Sequence, residues 1–242
     1  MKKSWKLFPT ISAPMPLQMT LDRLLFERHQ TQIQNPVFRF FYSSAPWVSV
    51  GYAAEKKAGY ALSASQHSLQ NIPVCRRMTG GGTVIHGNDL IFSLFARKQD
   101  NPEKFESVET SYHHIHEAVR RAFQKLGKSA QFFKENQSQN GRDCFLNPVE
   151  TDLHFDDKKI AGGAQKRSGD VFLHEESIQP PVGMSLPDLE KEIRTSFETY
   201  FEIKFESAMI QPEILFSTEK QSGDCVVYST SNDLRGQINL TA

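Results

Sequence analysis

The stretch DLHFDDKKIAGGAQKRSGDVFLHEESI, residues 152–178, decides the fold. Its first part, to Arg167, reads as strand, turn, strand, with Asp156-Asp157 in the turn. VFLHEESI, residues 171–178, reads as a further strand. The run from Ala161 to Ala164 has no side-chain bulk, and a strand that bare lets a ligand or another backbone come close. Lys158 and Lys159 stand just before it. Two lysines at a strand start are usually solvated charges. A lysine opening a bare strand can also set its ammonium on a substrate carbonyl or phosphate.

Working outward, PLQMTLDRLLFERHQ is helical in pattern, with Leu17, Leu21, Leu24 and Leu25 at helical spacing and Thr20 or Asp22 near its start. VFRFFYSSAPWVSVGY reads as two strands around a Ser-Ser-Ala-Pro turn, followed by polar, helix-like sequence. A short strand runs from Pro73 to Arg77, and DLIFSLFARK is a strand whose apolar centre predicts burial on both faces. SVETSYHHIHEAVRRAFQKLG is a helix with Ile115, Val119, Phe123 and Leu126 on one face, capped by Ser107 and ended by Gly127. KENQSQNGRD reads as a loop, and LPDLEKEIRTSFETYF as an amphipathic helix. Strands in pairs, interrupted by long helices, predict an α+β fold: a mixed β-sheet flanked by helices. Residues 1–202 are expected to form the main domain. Residues 203–242, weakly patterned, are expected to be a small extension of it or a partly mobile tail.

The chain has 242 residues, 38% of them hydrophobic and 11% aromatic, enough for one large domain with a real core. Lys+Arg and Asp+Glu stand at 28 each, so no global basic field gathers nucleic acid. Cys75, Cys144 and Cys225 are odd in number and far apart, which suits a reducing compartment better than a disulfide framework. No apolar run approaches the ~20 residues of a membrane span, and MKKSWKLFPT has lysines but no apolar stretch after them. The expected location is cytoplasmic, away from membranes.

CRRMTGGGTVIHG, residues 75–87, is the second informative stretch. It lacks both the P-loop pattern and a G-x-G-x-x-G spacing. A tight strand connection is one reading of Gly80, Gly81 and Gly82. The other is a site offering bare N–H groups with one of Arg76 and Arg77, since neighbours on an extended chain point opposite ways. His86 could add a donor at the rim. Among the thiols, Cys144 follows Arg142 and Asp143 in a polar loop and is expected to be partly exposed beside a cation. Cys75 is expected buried and Cys225 on a strand. His113, His114 and His116 suggest a metal, but only His113 and His116 share a helical face and no partner completes a set, so no metal is expected.

Together, RRMTGGGTVIHGNDLIFSL and KKIAGGAQKR resemble two motifs of the biotin/lipoate protein ligase superfamily, lipoate branch, in the same order. Lys159 falls on that family's essential lysine, and LHEESI places His174 on its histidine; QMTLDRLLFE and FRFFYSSAPWVSVGY are similar to its first helix and first hairpin. The resemblance covers residues 15–200. It implies that the glycine loop, Gly162, Gly163, Ala164 and Lys159 line one tunnel for a lipoyl or octanoyl chain. Arg76 and Arg77 would add positive charge there.

Two chemistries run on such a scaffold. Cys144-Phe145 resembles the segment bearing the nucleophile of a cysteine-dependent octanoyltransferase group, and the insertion FLNPVET favours that route. It implies acyl transfer from an acyl carrier protein or other octanoyl donor, through Cys144, to the lysine of a lipoyl domain or glycine-cleavage H protein, with no tightly bound cofactor. The alternative is a lipoate-protein ligase using ATP and Mg to make an acyl-adenylate, with Cys144 incidental. Gly82 is ligase-like, whereas the end of the chain before an accessory domain fits a transferase or a ligase that borrows one. Glu175 and Glu176 replace a small residue of the family and motivate a third reading, a non-catalytic acyl-binding paralogue.

Overall fold

The computed structural model describes residues 2–32, 34–53, 72–136, 144–228 and 239–240. Within them, strand alternation sorts the core into two apolar layers around one large sheet. On β2 (Val37–Ser43) and β6 (Leu90–Arg97), Phe38, Phe40, Phe92 and Leu94 face one way. They meet Ile115, Val119 and Phe123 of α3 (Val108–Lys125), which follows the one-turn α2 (Pro102–Phe105), and Leu189, Ile193 and Phe197 of α4 (Leu186–Tyr200). Val37 and Phe95 face the other way, against Leu21 and Leu25 of α1 (Met15–Thr31). A period-2 strand between helices must bury both faces, and it does.

The remaining strands of the large sheet are β1 (Lys3–Ala13), β7 (Gln131–Phe132), β8 (Leu153–Phe155), β9 (Lys158–Ser168), β10 (Val171–Ile178) and β11 (Ile203–Ser207). They run in the order β11-β1-β2-β6-β10-β9-β8-β7, and β13 (Asn239–Leu240) also pairs with β1. β1 is parallel to β2 and to β11, and the other pairs are antiparallel. Parallel neighbours need a crossover, which α1 supplies between β1 and β2. A second sheet has the order β12-β4-β3-β5, from β3 (Trp47–Val50), β4 (Val74–Arg76), β5 (Val84–His86) and β12 (Val226–Tyr228). The α+β class expected from the sequence is the observed one.

Several local expectations hold for the reasons given. Ser107 accepts from Thr110 N at the start of α3, and Gly127 takes φ +73° just past its end. Asp156 and Asp157 both have positive φ in the β8–β9 turn. Others are corrected. β2 and β3 do not pair as a hairpin: both edges of β2 are taken by β1 and β6, so the chain after Ser43 crosses into the second sheet. α1 starts at Met15 behind Pro14, and Thr20 and Asp22 are buried within it rather than capping it. Cys225 sits in a 3-10 turn, Ser222–Cys225, just before β12. The strand β1 went unread. The polar, helix-like stretch at 54–71, most of the loop at 134–143 and the segments 229–238 and 241–242 of the tail lie outside the described residues.

Between α1 and the sheet lies a buried polar knot. Arg39 on β2 donates to Asp22 Oδ1 at 2.6 Å and to Gln18 Oε1 at 2.7 Å, while Ser93 on β6 donates to Asp22 Oδ2 at 2.6 Å. The Arg39 guanidinium also lies 4.1 Å from the centre of the Phe41 ring. Removing one partner of such a pair leaves an uncompensated charge. Arg39→Met is therefore expected to lower unfolding free energy by about 3–5 kcal/mol, read from urea midpoints. A change within about 0.5 kcal/mol, as for a surface position, would contradict the role given to the knot.

Candidate active site

β9 leaves the turn with Lys158 exposed and Lys159 buried, so the two lysines part company. The Lys159 ammonium lies 2.6 Å from Asp152 Oδ2, 3.0 Å from the carbonyl oxygen of Cys144 and 3.5 Å from Cys144 Sγ. Burial opposes its charge, but its interactions with Cys144 and Asp152 outweigh burial and raise its pKa. Asp152 Oδ2 also accepts from Val149 N at 2.9 Å, which fixes the carboxylate. Cys144 N donates to Thr83 O at 2.9 Å, joining the cysteine's loop to the glycine segment ahead of β5. Arg142 and Asp143, expected to flank the thiol, lie outside the described residues.

Gly162 and Gly163 are bare because their neighbours need the room. A Cβ on Gly162 would stand 2.3 Å from Lys159 Cε and 3.2 Å from Asp152 Oδ1. One on Gly163 would stand 2.5 Å from Glu176 Oε2 and 2.6 Å from His174 Nε2. Behind Gly163, Glu176 Oε2 lies 2.8 Å from His116 Nε2 and 2.8 Å from His174 Nε2. Burial lowers the pKa of His174, so it is neutral; its Nδ1 receives Gln165 Nε2 and its Nε2–H donates to Glu176. Burial acts against charge on His116 too, but Glu176 overrides it and the pKa is raised. Its Nδ1 meets the Thr151 carbonyl. Burial likewise opposes the Glu176 charge, yet the two histidines bring its pKa down to about 2. Tyr112 of α3 completes the wall, its hydroxyl accepting from Gly163 N at 2.7 Å and donating to Gly163 O.

His113, His114 and His116 do not converge, as their helical spacing dictates. His116, His174 and Glu176 do, with ligand atoms within 4.8 Å of one another. They form the one trio among the described residues with the donor atoms to hold a metal, and hydrogen bonds already occupy those atoms. The pairing across three elements left no mark in sequence spacing.

The two arginines diverge. Arg77 turns under the glycine loop and donates to Ser49 Oγ, Gly80 O and Gly82 O at 3.0, 2.7 and 2.8 Å. Arg76 donates to Tyr52 O at 3.1 Å on the other side. In the glycine loop, Gly81 takes φ +89° and its backbone approaches Gly51, where a Cβ would lie 2.3 Å from Gly81 O. What comes close to that bare backbone is the protein's own chain. Both ring nitrogens of His86 are engaged, Nδ1 with Asp89 at 2.7 Å and Nε2 with Ser49 at 2.8 Å.

A cavity of about 30 Å³ lies in front of these groups. Met15, Met19 and Ile91 give it an apolar side; Cys144, Arg77 and His86 line it together with Gly162, Gly163 and Ala164. Its described lining includes none of Lys159, Gly80, Gly81 and Gly82: Lys159 meets it through Cys144, and His174 stands behind it. Glu175 and Glu176 both reach it from opposite faces of β10. Glu175 accepts from Thr79 Oγ1, and burial, reinforced by the charge of Asp22, pushes its pKa up to about 8.

The family profile of the lipoyl protein ligase A/B catalytic domain matches residues 14–184. The chain belongs to the lipoyl protein ligase A/B catalytic domain family. Among curated relatives of this family, the octanoyltransferase LipM of Bacillus subtilis is 31% identical over 185 residues, covering 73% of this chain and 66% of that one. The LipM of Oceanobacillus iheyensis is 28% identical over 188 residues, covering 77% and 67%. The chain thus spans about two thirds of the length of these relatives. Lipoate-protein ligase A bound with ATP has the same fold, with a TM-score of 0.71 and 19% identity over 97% of this chain and 99% of that one. So does a lipoate protein ligase described as putative, from T. acidophilum, with a TM-score of 0.71 and 18% identity over 93% and 95%. Among the described residues no helix is long and apolar enough to cross a membrane.

Glu175 gives the site a pH signature. Its carboxyl titrates near 4.5 when unfolded and about 8 when folded. Between these values the folded state holds a proton that the unfolded state has lost, so stability falls as pH rises. Glu175→Gln is expected to remove up to about 1.4 kcal/mol per pH unit of that decline, read from urea midpoints at closely spaced pH values. Parallel curves for the two proteins would contradict the protonated carboxyl.

Proposed function

We propose that the chain is an octanoyltransferase of protein lipoylation that works through a thioester on Cys144. The observation that carries this reading is the Lys159 ammonium 3.5 Å from Cys144 Sγ. A thiol is a nucleophile only as thiolate, and an adjacent cation stabilises that form. The similarity to octanoyltransferases supports the same route.

In the first half-reaction, Cys144 Sγ attacks the thioester carbonyl of an octanoyl group on an acyl carrier protein. The new C–S bond forms as the carbonyl becomes an oxyanion, which Lys159 and backbone N–H groups stabilise. Collapse of that oxyanion breaks the old C–S bond, and the carrier thiolate leaves and takes up a proton. In the second half-reaction, the unprotonated lysine amine of a lipoyl domain or H protein attacks the Cys144 thioester. An amide forms, Cys144 leaves as thiolate and the amine loses its extra proton. No ATP is needed, because the thioester is already activated.

Asp152 is the positioning residue of this scheme. It holds Lys159 charged and aimed, while Gly162, without a Cβ, leaves room for the lysine's end. The cavity, about 30 Å³, is roughly one water's share of liquid volume, so an octanoyl chain must move side chains aside. Met15 and Met19, unbranched and flexible, are suited to that. Arg77 supports the glycine loop from beneath.

Intact-protein mass spectrometry tests the reading. Incubation with octanoyl-carrier protein and no ATP is expected to add one octanoyl group, removable by hydroxylamine and absent in Cys144→Ala. Lys159→Met is expected to slow acylation by about 10²–10³. Full transfer by Cys144→Ala, or modification of a lipoyl domain only with ATP and free lipoate, would overturn it.

A further inference from the structure

A second cavity lies at the C-terminal end of α1, remote from Cys144. Met19 lines the catalytic cavity and His29 lines this one, ten residues further along the helix, or about 15 Å. We propose that it is a binding site for a small organic anion, an acid head group (carboxylate or phosphate) carried on a short apolar tail.

The cavity measures about 260 Å³, room for about eight waters. Its polar side is made by Lys6 of β1, Arg28 and His29 of α1, and the amides of Gln32, Gln34 and Gln211. None of its described lining residues is acidic. The opposite side is apolar, with Phe8, Leu25, Val37, Phe95 and Ile214 from the core on that face of the sheet. Positive charge over an apolar floor suits an amphiphilic anion and repels a cation.

His29 is the decisive residue. It is fully buried, at 0% exposure, yet its Nε2 has no hydrogen-bond partner among the described residues. Gln34 Nε2 lies 2.8 Å from His29 Nδ1, and an amide nitrogen only donates, so Nδ1 accepts and the ring proton sits on Nε2. Burial first, then the charges of Arg97 and Lys6, bring the His29 pKa down to about 4, so the ring stays neutral and keeps this one N–H. Buried donors in folded proteins are almost always satisfied, and one left over in a polar cavity marks where an acceptor belongs. The carbonyls that end α1 would repel an anion, but Arg97 covers those of His29 and Gln32. The catalytic cavity, which carries the ionised Glu176, is a poor home for the same ligand.

The test uses the full chain, nitrogen-labelled at histidine, with imidazole resonances followed by NMR. His29 is assigned by the signal lost in His29→Gln. Sodium butyrate, butyl phosphate and butanol serve as probes. Butyrate or butyl phosphate is expected to move His29 Nε2 saturably, and the arm that does so identifies the head group. Butanol should not. Replacing Lys6 and Arg28 together by Met is expected to weaken that binding about tenfold or more and to leave the enzyme's basal acyl transfer unchanged. Neither residue is buried, so this variant folds even if His29→Gln does not, and loss of the saturable shift then reads the site. No saturable shift with either anion, an equal response to butanol, or undiminished binding in the Lys6, Arg28 variant would overturn the proposal. It stands or falls independently of the chemistry at Cys144.

Discussion

The ammonium of Lys159, buried at the start of β9 between Asp152 and Cys144, is the interaction on which the site depends. A charge taken out of water survives only with a partner in good geometry, and Asp152 at 2.6 Å provides one. Everything around it makes room. Gly162 has no side chain because one would strike Lys159, and Gly163 has none because one would strike Glu176 and His174. Replacing either glycine by alanine would crowd an ionic cluster that cannot move into solvent.

The protein handles buried charge in two ways. In the structural knot, Arg39 and Asp22 lock α1 to the sheet with hydrogen bonds and side chains at 0% exposure. At the site, Lys159 pairs with Asp152 and His116 with Glu176, and of these four Glu176 lines the cavity. Glu175, on the other face of β10, stays protonated because burial and the charge of Asp22 disfavour a further anion there. The tandem glutamates are thus unlike each other: one neutral and bonded to Thr79, the other ionised between two histidines.

The strands around the reactive centre were legible because their patterns are local. The Asp156-Asp157 turn, the bare run on β9 and the caps of α3 each announce themselves within a few residues. β1 did not, because it buries roughly every third residue, with a register shift between Phe8 and Ile11, and so lacks a period-2 signal. Which of Lys158 and Lys159 is buried, and the meeting of His116 with Glu176, depend on elements far apart in sequence. The Gly80–Gly82 sequence allows both a tight strand connection and room for a ligand. Its contacts with Gly51 and Arg77 give it a structural reason first. Cys144 and Lys159, chosen from separate motifs, meet because Thr83 ties the cysteine's loop to the glycine segment.

The most direct measurement isolates the octanoyl-enzyme and mixes it, without ATP or fresh donor, with an apo lipoyl domain. The account predicts that the octanoyl group passes from Cys144 to the acceptor lysine in a single turnover, restoring the free thiol. An adduct that persists, or that is lost only to water while the acceptor stays unmodified, would contradict it.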